Sequence, residues 1–384
     1  MQLSIKSKLT IILLLTYLSS AALSFAFWPS STNLVSPGAI MTDSNGVPTL
    51  DPGEPRTEVC PLNGALHTKT EQALWEQRRP MAVMIENHKE ARPQSGLSTA
   101  DIVYETIAEG GITRFMAVYY CDAAFGDTTL GPVRSARTYF LDWASEYSKY
   151  PIYVHVGGAN TPGKANALGQ IGDYGWVGEN DLNQFGLSVK ECRRDYDRLG
   201  GDVATEHTMY CFTESLWKLA DKRGWAAEDE DGLSWDETFT SWKFSDKAPD
   251  TGESATNITF DFWDDFAQYT VGWDYSSDTK VYKRINGGIS HVDTNTKQQI
   301  EATTVMIQFV KETGPIDDLK HMLYGTKGTG KAIAFTNGQA ENLTWSKKLR
   351  TSRTIFTNSK GKEYQFQPGK IWIEAVPTGS TISY

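Results

Sequence analysis

Residues 80–158 carry Glu86, His88, Arg92, Asp101, Glu105, Glu109, Arg114, Arg134, Arg137 and His155 beside runs of apolar side chains. Unpaired charge is expensive to bury, so this density calls for mutual neutralisation or for a ligand. In Gly131-Pro132-Val133-Arg134-Ser135-Ala136-Arg137 the arginines stand three apart, and the Gly-Pro pair reads as a helix start with Pro at its first position. A helix N-terminus already carries about half a positive charge. Two guanidiniums, Ser135 and free backbone N–H groups would together hold a carboxylate or phosphate there. The competing explanation is an internal ion pair with Glu105, Glu109 or Asp142.

Glu86-Asn87-His88 follows directly on the apolar run Met81–Ile85, where a strand end presents functional groups. Glu86 and His88, with His155 at the end of another strand and His207 from Ala204-Thr205-Glu206-His207, could act as general acid and base or as metal ligands. Their spacing matches no specific metal motif, so no metal and no cofactor is expected. Glu105 and Glu109 are too far apart along an extended strand for a retaining glycosidase dyad, whereas Glu86 with Glu105 stays open. The catalytic candidates are therefore Glu86, His88, Glu105 and His155. The ligand-binding candidates are Asn87, Arg92, Glu109, Arg114, Arg134, Ser135, Arg137 and His207.

No GxSxG, P-loop or kinase signature occurs, and Gly325-Thr326-Lys327-Gly328-Thr329-Gly330-Lys331 opens a β-type run, so it reads as a turn. Arg284, His291 and Asp293 form a polar cluster read chiefly as surface hairpin chemistry, with a ligand or domain-interface role as the alternative.

The elements that position these residues follow from periodicity. Met81–Asn87 reads as a buried strand, and residues 101–108 and 112–120 as a hairpin around Glu109-Gly110-Gly111. A helix is expected from Val133 through Tyr147, then a strand from Ile152, and further helices near 164–168 and 214–223. After an acidic, turn-like stretch at 227–236, short aromatic and β-branched runs alternate with turn signals. The expected fold is α+β: a mixed α/β domain over 70–226 and a mainly antiparallel β domain over 237–384.

The net charge of −10 argues against a nucleic-acid surface. Lys6 and Lys8 precede an apolar stretch from Leu9 to Phe27, about the length that crosses a bilayer. It predicts a single membrane anchor over 1–27 with the bulk outside, the alternative being secretion after cleavage near Ala26. Residues 28–69, rich in Pro, Gly, Ser and Thr, read as a flexible stalk. Cys60, Cys121, Cys192 and Cys211 allow three pairings in an oxidising compartment, and Cys192 with Cys211 is favoured because both flank one loop.

Laid in order, these segments resemble the bacterial YerB family of lipoproteins. The resemblance rests on CPLNG at residues 60–64, RPMAVMIENHKEARPQSGLSTADIVYE, EGGITRFMAVYY, GPVRSARTYF, the His155 strand, EHTMY, VGWDY, VYKRINGGISHVD and PGKIWIEAVP. It implies two adjoining domains, exported and held at the outer face of the membrane. It carries over no catalytic residue. The chain departs from the lipoprotein pattern in having no cysteine before Cys60, so a transmembrane anchor would replace the lipid. The leading expectation is a membrane-anchored extracytoplasmic protein that binds an anionic envelope ligand or partner through an Arg-rich pocket. The rivals are a cell-wall hydrolase and a scaffold presenting exposed Trp273 and Trp372.

Overall fold

The computed structural model describes residues 49–229, 231–247 and 252–384, so the apolar stretch 9–27 lies outside the described residues. Among those described, no helix is long and apolar enough to cross a membrane.

An eleven-stranded mixed sheet forms the centre of the α+β fold. From one edge its strands are Glu253–Ser254, Gln339–Lys347, Gly328–Thr336, Thr304–Val310, Ile371–Pro377, Ile102–Glu109, Ile112–Tyr119, Met81–Glu86, Ile152–His155 and Asp181–Asn183, with Ile355–Thr357 paired to Gln339–Lys347. The N- and C-terminal regions meet inside this sheet. Ile371–Pro377 runs parallel to Ile102–Glu109, aligning Ile371 with Ile102 and Glu374 with Glu105. Parallel strands at such a seam are covered on both faces, which is why they read as nearly unbroken apolar runs.

One face of the seam receives the helix Thr138–Ala144, whose Trp143 stacks on Tyr104 with ring centroids 5.6 Å apart. The opposite face receives a five-stranded antiparallel sheet that includes Asn257–Phe260, Val271–Ser276 and Val281–Asn286. There Trp273 packs edge-on against Trp372 at 5.3 Å. Both indoles are fully buried, so neither is the exposed contact residue that a scaffold would present. Arg284, His291 and Asp293 are likewise buried, at the junction of the two regions rather than on the surface.

Two further expectations are corrected by backbone pairing. The helix begins at Thr138, not at Val133, and Arg137 caps it in extended geometry. Residues 131–136 run extended because their backbone is taken by neighbouring strands: Val133 N–H donates to Met209 O at 2.7 Å, Arg134 N–H to Met84 O at 2.8 Å and Ala136 N–H to Gly157 O at 2.9 Å. Tertiary pairing overrides the local Gly-Pro signal, and no helix N-terminus stands behind Arg134. Residues 58–67, placed in the stalk by composition, form a small hairpin of Glu58–Val59 with Leu66–His67. Cys60 in its loop is bonded to Cys121, and Cys192 to Cys211 as favoured from the loop they flank.

Candidate functional site

Register decides which charges meet. Glu86 lies opposite Arg114, which lies opposite Thr106, so these side chains share one face of the sheet. Ile85, Phe115 and Glu105 form the next row and point to the other face. Glu86 and Glu105 are thus separated by the sheet, which removes them as a pair of cooperating carboxylates. Strict alternation from Glu105 would also send Glu109 to the Glu105 face. A bulge between Ile107 and Glu109 shifts the register so that Glu109 opposes Ile112 and joins Arg114. The following turn, with Gly110 and Gly111 at φ 56° and 82°, closes against the ring of Phe266 and leaves no room for a side chain at Gly111.

On the helix-bearing face the result is an alternating chain of guanidiniums and carboxylates. Arg134 Nε stands 2.5 Å from Glu86 Oε2, and Arg114 lies 3.7 Å from Glu86 and 2.9 Å from Glu109. Arg137 grips Glu109 Oε2 through Nε at 3.0 Å and NH2 at 2.5 Å, and its NH1 donates to Ala136 O. Arg114 also donates to the carbonyl of Ser135 at 3.2 Å. Burial pushes the Glu109 carboxyl up, but Arg114 and Arg137 outweigh it and hold its pKa at about 2. Glu86 is lowered in the same way, with His207, Arg114 and Arg134 overcoming burial. His207 Nδ1 lies 3.5 Å from Glu86, and its ring stacks on His88. Glu86, His88, Glu109, Arg114, Arg134, Arg137 and His207 therefore do form one centre. Most of its charge is neutralised internally.

The opposite face holds a second network, enclosed around Glu105 and Arg284 and reaching the surface at Arg92. Glu105 forms an ion pair with Arg284, whose guanidinium is surrounded by Trp372, Phe115 and Trp273 at 4.9, 5.5 and 5.6 Å. Arg284 NH1 donates to His291 Nδ1 at 3.1 Å, and His291 Nε2 bonds Gln94 Oε1 at 2.6 Å. Burial, with Arg284 and Arg92 adding to it, holds His291 well below its usual pKa and so neutral. Asn87 donates to Glu105 and Thr113, and its Oδ1 accepts from Arg92, Gln94 and Asn286. Arg92 also reaches Gln268 O at 2.8 Å. Asn87, Arg92 and Glu105, expected at a ligand or catalytic site, instead fasten the two regions together.

His155 is the fourth catalytic candidate and stands apart. It is fully buried, with Nε2 on Asp181 at 2.7 Å and Nδ1 on Gly157 O at 2.6 Å, so both nitrogens are engaged. Sequence reasoning missed Glu374, which sits 4.0 Å from Arg284 and whose carboxyl is pushed well above its usual range by burial and by Glu105. A lone charge inside Ile371-Trp372-Ile373-Glu374-Ala375 carries the same signal as Arg114 within its strand. It also missed the buried carboxylate Glu146, which Lys347 reaches at 2.6 Å and Arg353 at 3.5 Å.

Comparison with known proteins agrees with this two-part architecture. The N-terminal domain of a protein family of unknown function, DUF3048, matches residues 64–226, and its C-terminal domain matches residues 258–373. A protein of Bacillus subtilis (strain 168) named "Putative lipoprotein YerB" is 31% identical over 321 residues, covering 83% of this chain and 86% of that protein. The crystal structure of the YerB protein from Bacillus subtilis is similar with a TM-score of 0.68 at 28% identity, over 85% of this chain and 100% of the other. With both domains matched in order, and with a relative aligned along most of its length, the chain belongs to the YerB family of DUF3048 proteins.

Proposed function

We propose that the protein is an extracytoplasmic, membrane-tethered component of the cell envelope that binds an anionic ligand at Arg134. The carrying observation is the unequal use of the three guanidiniums. Arg114 and Arg137 are spent on Glu109, Glu86 and backbone carbonyls. Arg134 sets its buried Nε against Glu86 as an ion contact that lacks hydrogen-bond geometry, keeps 27% of its side chain exposed, and makes no ion pair or hydrogen bond through NH1 or NH2 among the described residues. Glu86 thus holds a guanidinium in place with its outer N–H fork open, the geometry that receives a carboxylate or phosphate. The pocket is narrower than a cluster of free arginines.

The tether is assigned to residues 9–27, in accord with the name of the B. subtilis relative, although the means differ. Cys60 is held in a disulfide with Cys121 and offers no free thiol for a lipid. Of the hydrolase alternative, the pairings that use Glu105 or His155 are disfavoured because Glu86, Glu105 and His155 reach three separate environments, and only Glu86 with His88 shares one centre. The testing experiment is co-sedimentation with cell-wall sacculi. Binding to sacculi that retain their anionic polymers, and not to sacculi stripped of them, supports the reading; equal recovery on both rejects it.

A further inference from the structure

We propose that His88, Glu90 and His207 form a binding site for a divalent transition-metal ion of the Zn²⁺ class. The two imidazoles come from separate parts of the chain. His88 opens the short 3-10 turn Lys89–Ala91, and His207 closes another, Thr205–His207. Their rings lie parallel, centroids 4.7 Å apart and planes 6° from one another. Glu90 Oε2 stands 3.9 Å from His207 Nε2. One ligand atom from each of the three residues falls within a common span of 4.8 Å.

A tetrahedral zinc ion with bonds near 2.1 Å needs its ligand atoms about 3.4 Å apart. The ligand atoms are close enough for one ion, but parallel rings direct their in-plane lone pairs into separate planes, so the less buried His88 must turn out of the stack while Glu90, 53% exposed, closes the remaining gap. His88 Nδ1 receives the Glu90 amide at 3.3 Å, a long bond that the ring gives up at small cost when it turns to a cation.

The surroundings also favour a ligating tautomer. Glu86 Oε2 lies 3.5 Å from His207 Nδ1, without hydrogen-bond geometry, and Glu90 Oε2 lies 3.9 Å from Nε2, so a carboxylate stands on the Nδ1 side of the ring and Nε2 is the nitrogen nearer Glu90. A carboxylate behind a ligating imidazole sets tautomer and ring orientation in this way. Glu86 is itself held by Arg134. Two imidazoles and one carboxylate are borderline donors suited to zinc or its neighbours, and three protein ligands leave a coordination position for water or an exogenous anion. The bound ion would add positive charge beside Arg134. Metal occupancy is nonetheless independent of the anion reading, because it is measured with no anionic ligand present.

The experiment is calorimetric titration of the tag-free full-length chain, in detergent and cleared of metal by chelator, with ZnCl₂. One ion per chain is expected, weakened at least tenfold in His88→Ala, His207→Ala and Glu90→Ala. Glu86→Gln, which alters a positioning residue, should weaken it by about 10- to 100-fold. Because the histidine variants could disturb local packing, Co²⁺ added to the wild type supplies a second readout: visible d–d bands of a low-coordinate nitrogen and oxygen site, abolished by Glu90→Ala. Absence of stoichiometric binding, or wild-type affinity in Glu90→Ala and His207→Ala alike, overturns the proposal.

Discussion

Glu105 and Arg284 form an ion pair from which solvent is wholly excluded, although 179 residues separate them in the chain. The pair joins the N-terminal hairpin to the sheet that covers it. A buried cation left without its partner costs about 3–5 kcal/mol, and since Glu374, 4.0 Å from Arg284, takes up part of the pairing, Glu105→Gln should destabilise the whole fold by up to that order. Burial and Glu105 push the Glu374 carboxyl up toward its neutral form, and Glu374→Gln preserves its shape, so a loss within about 1 kcal/mol is expected. Equal losses for the two variants in urea unfolding would show that the charge has been assigned to the wrong carboxyl.

Glu109 makes stability depend on acid. Its carboxyl falls from an ordinary value of 4.5 to about 2 in the folded protein, so the folded state binds its proton less readily than the unfolded state. The contribution is present above about pH 4.5 and disappears as pH falls toward about 2, and it amounts to about 3 kcal/mol. Thermal midpoints measured across that window should fall steeply for the wild type. Glu109→Gln should start lower at neutral pH and change less over the same interval; parallel curves would contradict the paired state of Glu109.

The two disulfides should differ in value. Cys60–Cys121 spans 61 residues and Cys192–Cys211 spans 19. In the chain-entropy account these loops correspond to about 4 and about 3 kcal/mol. Replacing each pair by serine and measuring unfolding should therefore rank Cys60–Cys121 as the larger loss. The opposite ranking would mean that the Glu58–His67 hairpin is dispensable to the core.

Much of the frame was legible because its signals are local. Met81–Glu86, Ile102–Glu109 and Ile112–Tyr119 are apolar runs bounded by turn residues, and they are strands. What escaped depends on contacts between distant segments. No residue type marks the bulge at Ala108, yet it moves Glu109 to the opposite face of the sheet. Gly131-Pro132 looked like a helix start, but the strands ending at Glu86 and His155 take up the backbone that a first turn would have used. Arg284 and His291 looked like surface hairpin chemistry because their partners Glu105 and Gln94 lie far away in sequence. A single charge embedded in a β run was the one usable clue: it marked Arg114, and it would have marked Glu374.

Arg134 and Arg114 touch the same carboxylate but should respond differently to truncation. Arg114 is 1% exposed, and its loss leaves Glu86 and Glu109 without their shared buried partner, so Arg114→Ala should cost about 3 kcal/mol or more in stability. Arg134→Ala removes a part-exposed group and should cost about 1 kcal/mol. Denaturation midpoints that rank the two variants in the reverse order would mean that Glu86 depends on Arg134 for its charge.

The central claim is that Arg134 is the guanidinium offered to an anionic envelope ligand. Its most direct test is calorimetric titration of wild type and Arg134→Ala with soluble anionic cell-wall fragments at low salt, alongside their thermal midpoints. The account predicts at least tenfold weaker binding by Arg134→Ala, with a midpoint lowered by only the few degrees that about 1 kcal/mol implies. Wild-type affinity in the folded variant would contradict it.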